Sequence, residues 1–302
     1  MEIAKLSFPL NFRTIYKKLV CGINLGSSQI KVHYYNDTKN FGDCLNKTIL
    51  EKFGYKCVPT HPYSAELFFI GSLLDRFPEY GTGIILGSGL MFEKQFHHFQ
   101  AASILRVRGP ETAKLIGMKG CPVGDPGLLV SNLFSQAPKA DRIGIVPHYT
   151  DFDSVKVKHL QSSLGKQAII INVCEDVSTV IKKISSCTWI LSSSLHGLIV
   201  ADSYGIPATW VKFGNKVLGD GFKFYDYHSS IELERDCLDL TTNKSLPHIQ
   251  DAKSANNQTI EDLQAEITHD LTNLKKHLIK LRVDRLRYAI KKRMFFFPND
   301  KS

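Results

Sequence analysis

Residues 189–211 read WILSSSLHGLIVADSYGIPATWV. An apolar run, Trp189–Leu191, is short enough to be a buried strand, and the serines after it supply helix-capping hydroxyls. The helical stretch that follows ends at Tyr204-Gly205. Ile206-Pro207 then leads into a second apolar run, Thr209–Val211. Strand, helix and strand in about twenty residues is the unit of a parallel sheet.

The same alternation extends in both directions. Upstream, Ile143–Val146 and Ala168–Val173 read as strands, and Asp176 precedes a helix with Val177, Val180, Ile181 and Ile184 on one face. Nearer the start, strands are expected at Ile30 onward, Leu67–Ile70, Gly83–Leu86 and Ile104–Val107. A helix is expected through Leu45, Ile49 and Leu50, ending at Gly54, and another begins at Pro110. The first 28 residues show no clear pattern. These strands are too many for one ordinary sheet. The polar, aperiodic segment SQAPKAD (135–141) suits a linker. The expected fold is α/β, with two Rossmann-like doubly wound domains over residues 1–138 and 139–302 and no internal sequence repeat.

The chain has 302 residues, with 38 basic against 29 acidic and a net charge of +9. Ten of the basic and two of the acidic residues lie from Leu271 onward, so residues 1–270 carry 28 against 27. The surplus therefore belongs to one segment, which excludes a broadly basic surface. There is no recognised nucleic-acid motif, so nucleic acid is not an expected partner. No apolar run approaches the ~20 residues of a membrane span, and no secretory leader is visible, so the chain is expected to be cytoplasmic. Seven scattered cysteines without a C-x-x-C pair indicate neither a zinc site nor a disulfide framework.

The basic segment has a stripe at Ile267, Leu271, Leu274, Leu278 and Leu281, the spacing of an amphipathic helix. Two readings stay open for it. Residues 271–297 contact an anionic membrane, which would place the protein on the inner face of the cell membrane, or the helix packs back on the N-terminal domain.

In open α/β sheets, ligands collect where strand ends run into helix N-termini. Asp43, Ser88, Arg108, Asp125, His148, Ser192, Ser193, Ser194 and His196 all follow an expected strand. The start of the 195–204 helix, beside Gly197, offers free N–H groups and a dipole that attract anions. That dipole lowers the pKa of His196, and a bound dianion would raise it again, so His196 is a candidate acid charged only with substrate present. Arg108 suits carboxylate or phosphate. His148 is a second acid/base or a phosphate ligand. Asp43 is a base or an Asx-turn former.

Several motifs recur in one order: NFGDCLN (40–46), GTGIILGSG (81–89), RGPETAKLIG (108–117), GDPGLLV (124–130), IVPHYTD (145–151), SSSLHGLIVADSYGIP (192–207) and FKFYDYHSS (222–230). Together they make residues 30–232 resemble the polysaccharide pyruvyl transferase family. The resemblance implies a GT-B-like pair of domains facing a cleft. It also implies transfer of pyruvate from phosphoenolpyruvate onto a sugar of a cell-surface polysaccharide, or its lipid-linked precursor, as a cyclic ketal with release of phosphate. The motif histidines map onto His196 and His148 and the motif arginine onto Arg108. His196 and Asp43 are then the expected catalytic pair. Arg108, His148, Ser192, Ser193, Ser194, Gly197, Lys223 and Ser88 are expected to bind substrate, with no metal and no cofactor. A glycosyltransferase using a nucleotide sugar would share this fold, and a basic-tail nucleic-acid- or membrane-binding protein without catalysis is the remaining alternative.

Overall fold

The computed structural model describes residues 25–96, 99–242 and 246–296. Residues 1–24, Cys21 and Phe297 therefore lie outside the described residues. The first half comprises β1 (Gln29–His33), α1 (Phe41–Lys52), β2 (Lys56–Pro59), β3 (Leu67–Phe68), β4 (Ile84–Leu86), β5 (Ser103–Arg106), α2 (Pro110–Leu115) and α3 (Val130–Leu133). The second comprises β6 (Ile143–Val146), α4 (Val155–Leu164), β7 (Ala168–Ile170), α5 (Val177–Ser185), β8 (Trp189–Ser192), α6 (Leu195–Ser203), β9 (Ala208–Lys212), α7 (Phe222–Ser230) and β10 (Cys237–Asp239). A long helix, α8 (Asn257–Phe296), closes the chain.

Each half builds one five-stranded sheet, in the orders β2-β1-β3-β4-β5 and β10-β9-β8-β6-β7. All the strand pairs are parallel. Read from β7, the second order has the same connectivity as the first. Each half is thus a Rossmann-like α/β unit with its reversal of strand order beside its first strand: between β1 and β3, and between β6 and β8. Those are the positions where loops diverge and leave a crevice.

The continuous apolar strands are buried on both faces. Every residue of β4, β6 and β8 is buried. β2 and β10 were not expected from sequence. They are edge strands, with the half-exposed patterns KCVP and CLD. The short apolar run at Leu128–Val130 forms a 3-10 turn, Pro126–Leu129, leading into α3. Asp125 starts that turn by accepting the Gly127 N–H at 2.8 Å.

The stripe of α8 is consumed by packing. Ile267, Leu271, Leu274, Leu278 and Leu281 all join the core. Tyr55 Oη donates to Leu271 O at 3.2 Å. Arg282 Nε lies 2.6 Å from Glu66 Oε1, with both side chains about 90% buried, and Arg106 bridges Glu266 and Asp270 at 2.9 Å each. The helix follows the second sheet in sequence but docks on the first half. The apolar face offered by sequence to a bilayer is turned inward, which removes it as a membrane-inserting surface. Among the described residues no helix is long and apolar enough to cross a membrane.

Candidate functional site

The two strand-order reversals face each other, because α1 of the first half packs on α5 and α6 of the second. Phe41 N–H donates to Val173 O at 2.8 Å, and Lys39 pairs with Asp176 at 2.8 Å. This brings the N-terminus of α1 against that of α6. The approach is so close that a Cβ on Gly42 would lie 2.2 Å from His196 Nδ1. Position 42 therefore needs a glycine.

His196 is buried, and its Nε2 has no hydrogen-bond partner among the described residues. Its pKa is lowered to about 3, first by burial and then by the positive charges of Lys223 and Arg108. The imidazole is therefore neutral at pH 7. Asp125 Oδ2 is also buried without a partner. Both side chains border Gly127, where a Cβ would lie 3.0 Å from Asp125 Oδ1 and 3.9 Å from His196 Cδ2. Burial raises the Asp125 carboxyl to about 6.

Lys223, the second residue of α7, is buried and enters no salt bridge among the described residues. Its pKa falls to about 8 through burial and the nearby Arg108 charge, while Asp43 pulls it upward. Asp43, in the first turn of α1, rises to about 7 through burial, opposed by an Asn40 hydrogen bond and by Lys223. His148 falls to about 4 through burial and Lys223. Its Nδ1 lies 2.8 Å from Thr150 Oγ1. Asp43, His148, His196 and Arg108 thus all sense, or are sensed by, the Lys223 ammonium, and four separate segments, two helix starts and two loops, bring them together.

Arg108 is anchored inside the protein. It is fully buried, with Nε 2.9 Å from Asp226 Oδ2, Nη1 2.7 Å from Ser72 Oγ and Nη2 2.6 Å from Leu90 O. Asp226 also accepts the Thr112 N–H and hydroxyl, at 2.7 Å each. Held by these bonds, Arg108 contributes charge to the site and ties α7 to the first half. A Cβ on Gly109 would lie 1.8 Å from Asp226 O, so this junction too requires glycine.

The serines are also largely engaged. Ser88 Oγ donates to Gly71 O at 2.9 Å and accepts from Leu73 N. Ser192 Oγ is 3.0 Å from Val146 O and accepts the Ser194 N–H. Ser193 Oγ donates to Asp151 at 3.1 Å and accepts the His148 N–H at 2.9 Å, so it positions the His148 loop. Gly197 lets α6 approach β6 and β8, since a Cβ there would lie 2.4 Å from Ser192 Oγ. Ser88, Ser192, Ser193 and Gly197 hold the loops in place. The side chain of Ser194, which precedes α6, makes no cap hydrogen bond.

A cavity of about 450 Å³ opens beside Ser193, lined also by Trp210, Lys212, Asn215, Asp220 and Tyr225. Asp43, His196 and Lys223 do not line it. Asp226 was not singled out from sequence, because its partner Arg108 lies 118 residues away and only domain docking joins them.

Comparison with known proteins adds an independent finding. The family model for polysaccharide pyruvyl transferase matches residues 8–214. The chain is 33% identical over 281 residues to "Uncharacterized protein L143" of Acanthamoeba polyphaga mimivirus, covering 86% of this chain and 93% of that protein. It is 26% identical over 212 residues to "Succinoglycan biosynthesis protein ExoV" of Rhizobium meliloti (strain 1021), covering 67% of this chain and 65% of that protein. A crystal structure of the Klebsiella pneumoniae protein KP1_0663 aligns with 14% identity and a TM-score of 0.38, over 73% of this chain and 94% of that one, too distant to bear on the argument.

Proposed function

The chain belongs to the polysaccharide pyruvyl transferase family, and we propose that it transfers pyruvate from phosphoenolpyruvate to a glycan hydroxyl pair, forming a cyclic ketal. The observation that carries this reading is a buried, neutral histidine beside the buried Lys223 ammonium, which enters no salt bridge among the described residues. His196 lies at a helix N-terminus beside Lys223 and Arg108, with Asp43, at about 7, in the same cluster. A site of this kind favours an anion carrying more than one charge.

Phosphoenolpyruvate brings a carboxylate and a phosphate into that field. Its charge offsets Lys223 and Arg108 and raises the His196 pKa, so the imidazole gains a proton once the donor is bound. His196 delivers this proton to C3 of the enol, and C2 acquires oxocarbenium character. Asp43 takes the proton of the first sugar hydroxyl as its oxygen bonds to C2. Phosphate leaves C2, and the second hydroxyl closes the ring. Of the two hydroxyl protons, one replaces the proton given to C3 and the other departs with phosphate. Lys223, the α6 N–H groups and His148 hold the carboxylate and the departing phosphate. Arg108 adds charge from behind, held in place by Asp226.

The two halves, each with its strand-order reversal turned toward the other, fit a GT-B-like cleft. The relation to a succinoglycan biosynthesis protein supports an extracellular polysaccharide, or its lipid-linked precursor, as acceptor. The donor test is direct. Incubated with a glycoside panel, the protein should release inorganic phosphate from phosphoenolpyruvate and no nucleoside diphosphate from nucleotide sugars. The reverse result assigns it to nucleotide-sugar glycosyl transfer.

A further inference from the structure

At the opposite end of the first sheet's strands from the proposed catalytic residues lies a larger cavity, about 970 Å³. It runs between the N-terminal ends of β3, β4 and β5 and one side of α8, with Thr82, Ser103, Lys280 and Asp284 in its lining. Tyr63, Tyr80 and Tyr288 stand on its rim, exposed by 76%, 87% and 70%. None of the three belongs to the core; Tyr63 stacks on His61, with ring centroids 5.5 Å apart. Large aromatics left in water around a concave surface mark an interaction site.

In the lining Lys280 and Arg285 stand against Glu79 and Asp284, so the positive field comes from the lysines further along α8. Arg285 is tied to Thr82 and Ala65 O, and Asp284 lies 3.7 Å from Arg287. Lys275, Lys276, Lys280, Lys291 and Lys292 are exposed along the same helix. Aromatic rings stack on the C–H faces of sugars, and ammonium groups attract carboxylates. A pyruvate ketal leaves one carboxylate on the chain for each sugar modified.

We propose that this groove binds the anionic, pyruvate-bearing glycan, holding the polymer at a second point away from the catalytic centre. The inference rests on the pyruvyl-transfer reading for the identity of its ligand. A polymer longer than the cleft has sugars to spare for such a hold. A concave, tyrosine-rimmed groove beside these lysines fits a sugar chain better than a flat protein partner.

Native-gel affinity electrophoresis in xanthan, a pyruvylated polymer, tests it, with the same polymer stripped of its ketals by mild acid as the comparison. The full chain should be retarded more by the pyruvylated form, and salt should weaken the effect. Tyr80→Ala and Tyr288→Ala should each weaken binding by roughly five-fold, from the loss of one aromatic contact. Both variants should keep phosphate release with a short glycoside acceptor within two-fold of the parent. Unchanged retardation in both variants overturns the proposal, as does the absence of retardation in the parent. A concentration-dependent dimer that Tyr80→Ala dissociates overturns it in favour of a protein interface. Retardation that is lost in the variants, from a parent that releases no phosphate, would strike the catalytic reading and leave the groove as a glycan site.

Discussion

Replacing Asp226 by Asn probes the junction on which the site is built. The change removes one charge and almost no volume. The carboxylate lies 2.9 Å from Arg108 and accepts two hydrogen bonds of 2.7 Å from Thr112, and both ionic side chains are fully buried. An Asn oxygen still accepts, but its NH₂ group turns a donor toward groups that are themselves donors, and Arg108 keeps its charge without a counterion. At an effective dielectric of about 20, two unit charges about 4 Å apart attract by about 4 kcal/mol. Removing one partner of a buried pair costs about 3–5 kcal/mol by mutational experience. Against a total stability of roughly 5–15 kcal/mol, that is a large share. Urea unfolding followed by fluorescence should show it, and the melting midpoint should fall by roughly 10 °C. In a double-mutant cycle, Arg108→Met should recover part of the loss, because it removes the stranded charge. A change below about 1 kcal/mol in Asp226→Asn, or simple additivity in the cycle, refutes the picture of a buried ion pair joining the two halves.

Other expectations follow from the same geometry. Asp43 must be ionised to take a proton and Lys223 protonated to hold an anion. With the Lys223 pKa at about 8, the affinity for phosphoenolpyruvate in a binding titration should weaken as pH rises through that value, and Lys223→Met should abolish that fall. His196→Gln should lower kcat by about 10²–10⁴-fold with near-native stability at pH 7. The folded pKa of His196, about 3, lies below the unfolded 6.5, so the unfolded state binds the proton first as pH falls. The stability contributed by neutral His196 is therefore full above pH 6.5 and lost progressively toward pH 3, and denaturation of His196→Gln should be less steep across that range. Gly42→Ala should push the His196 ring aside and lower kcat at least ten-fold while leaving the far-UV circular dichroism unchanged, because a 2.2 Å approach cannot be accommodated without movement.

Much of this fold is legible in the sequence for a physical reason. Buried parallel strands must be apolar on both faces, so Ile143–Val146 and Trp189–Leu191 announce themselves as unbroken apolar runs. The edge strands β2 and β10 face solvent on one side, and KCVP and CLD carry no such signature. His196, His148 and Asp43 stand out in the sequence because strand ends in this architecture run into the crevice. Their neighbour Asp226 is a helix residue whose importance comes from Arg108, far off in the chain, and no local pattern reveals it. The same holds for Arg108 itself: its position is legible but its partners Asp226, Ser72 and Leu90 are not. The stripe on α8 identified a helix. What covers the stripe depended on Glu66 and Tyr55, which no periodicity connects to it.

The most direct test is the mass of the product formed from phosphoenolpyruvate and a glycoside acceptor in deuterium oxide. The acceptor should gain the mass of pyruvic acid less one water, with one deuterium in the new methyl group, and one phosphate should be released for each ketal formed. An acceptor that gains a hexose from a nucleotide sugar, or that is unchanged while phosphoenolpyruvate remains intact, would contradict pyruvyl transfer by protonation at C3.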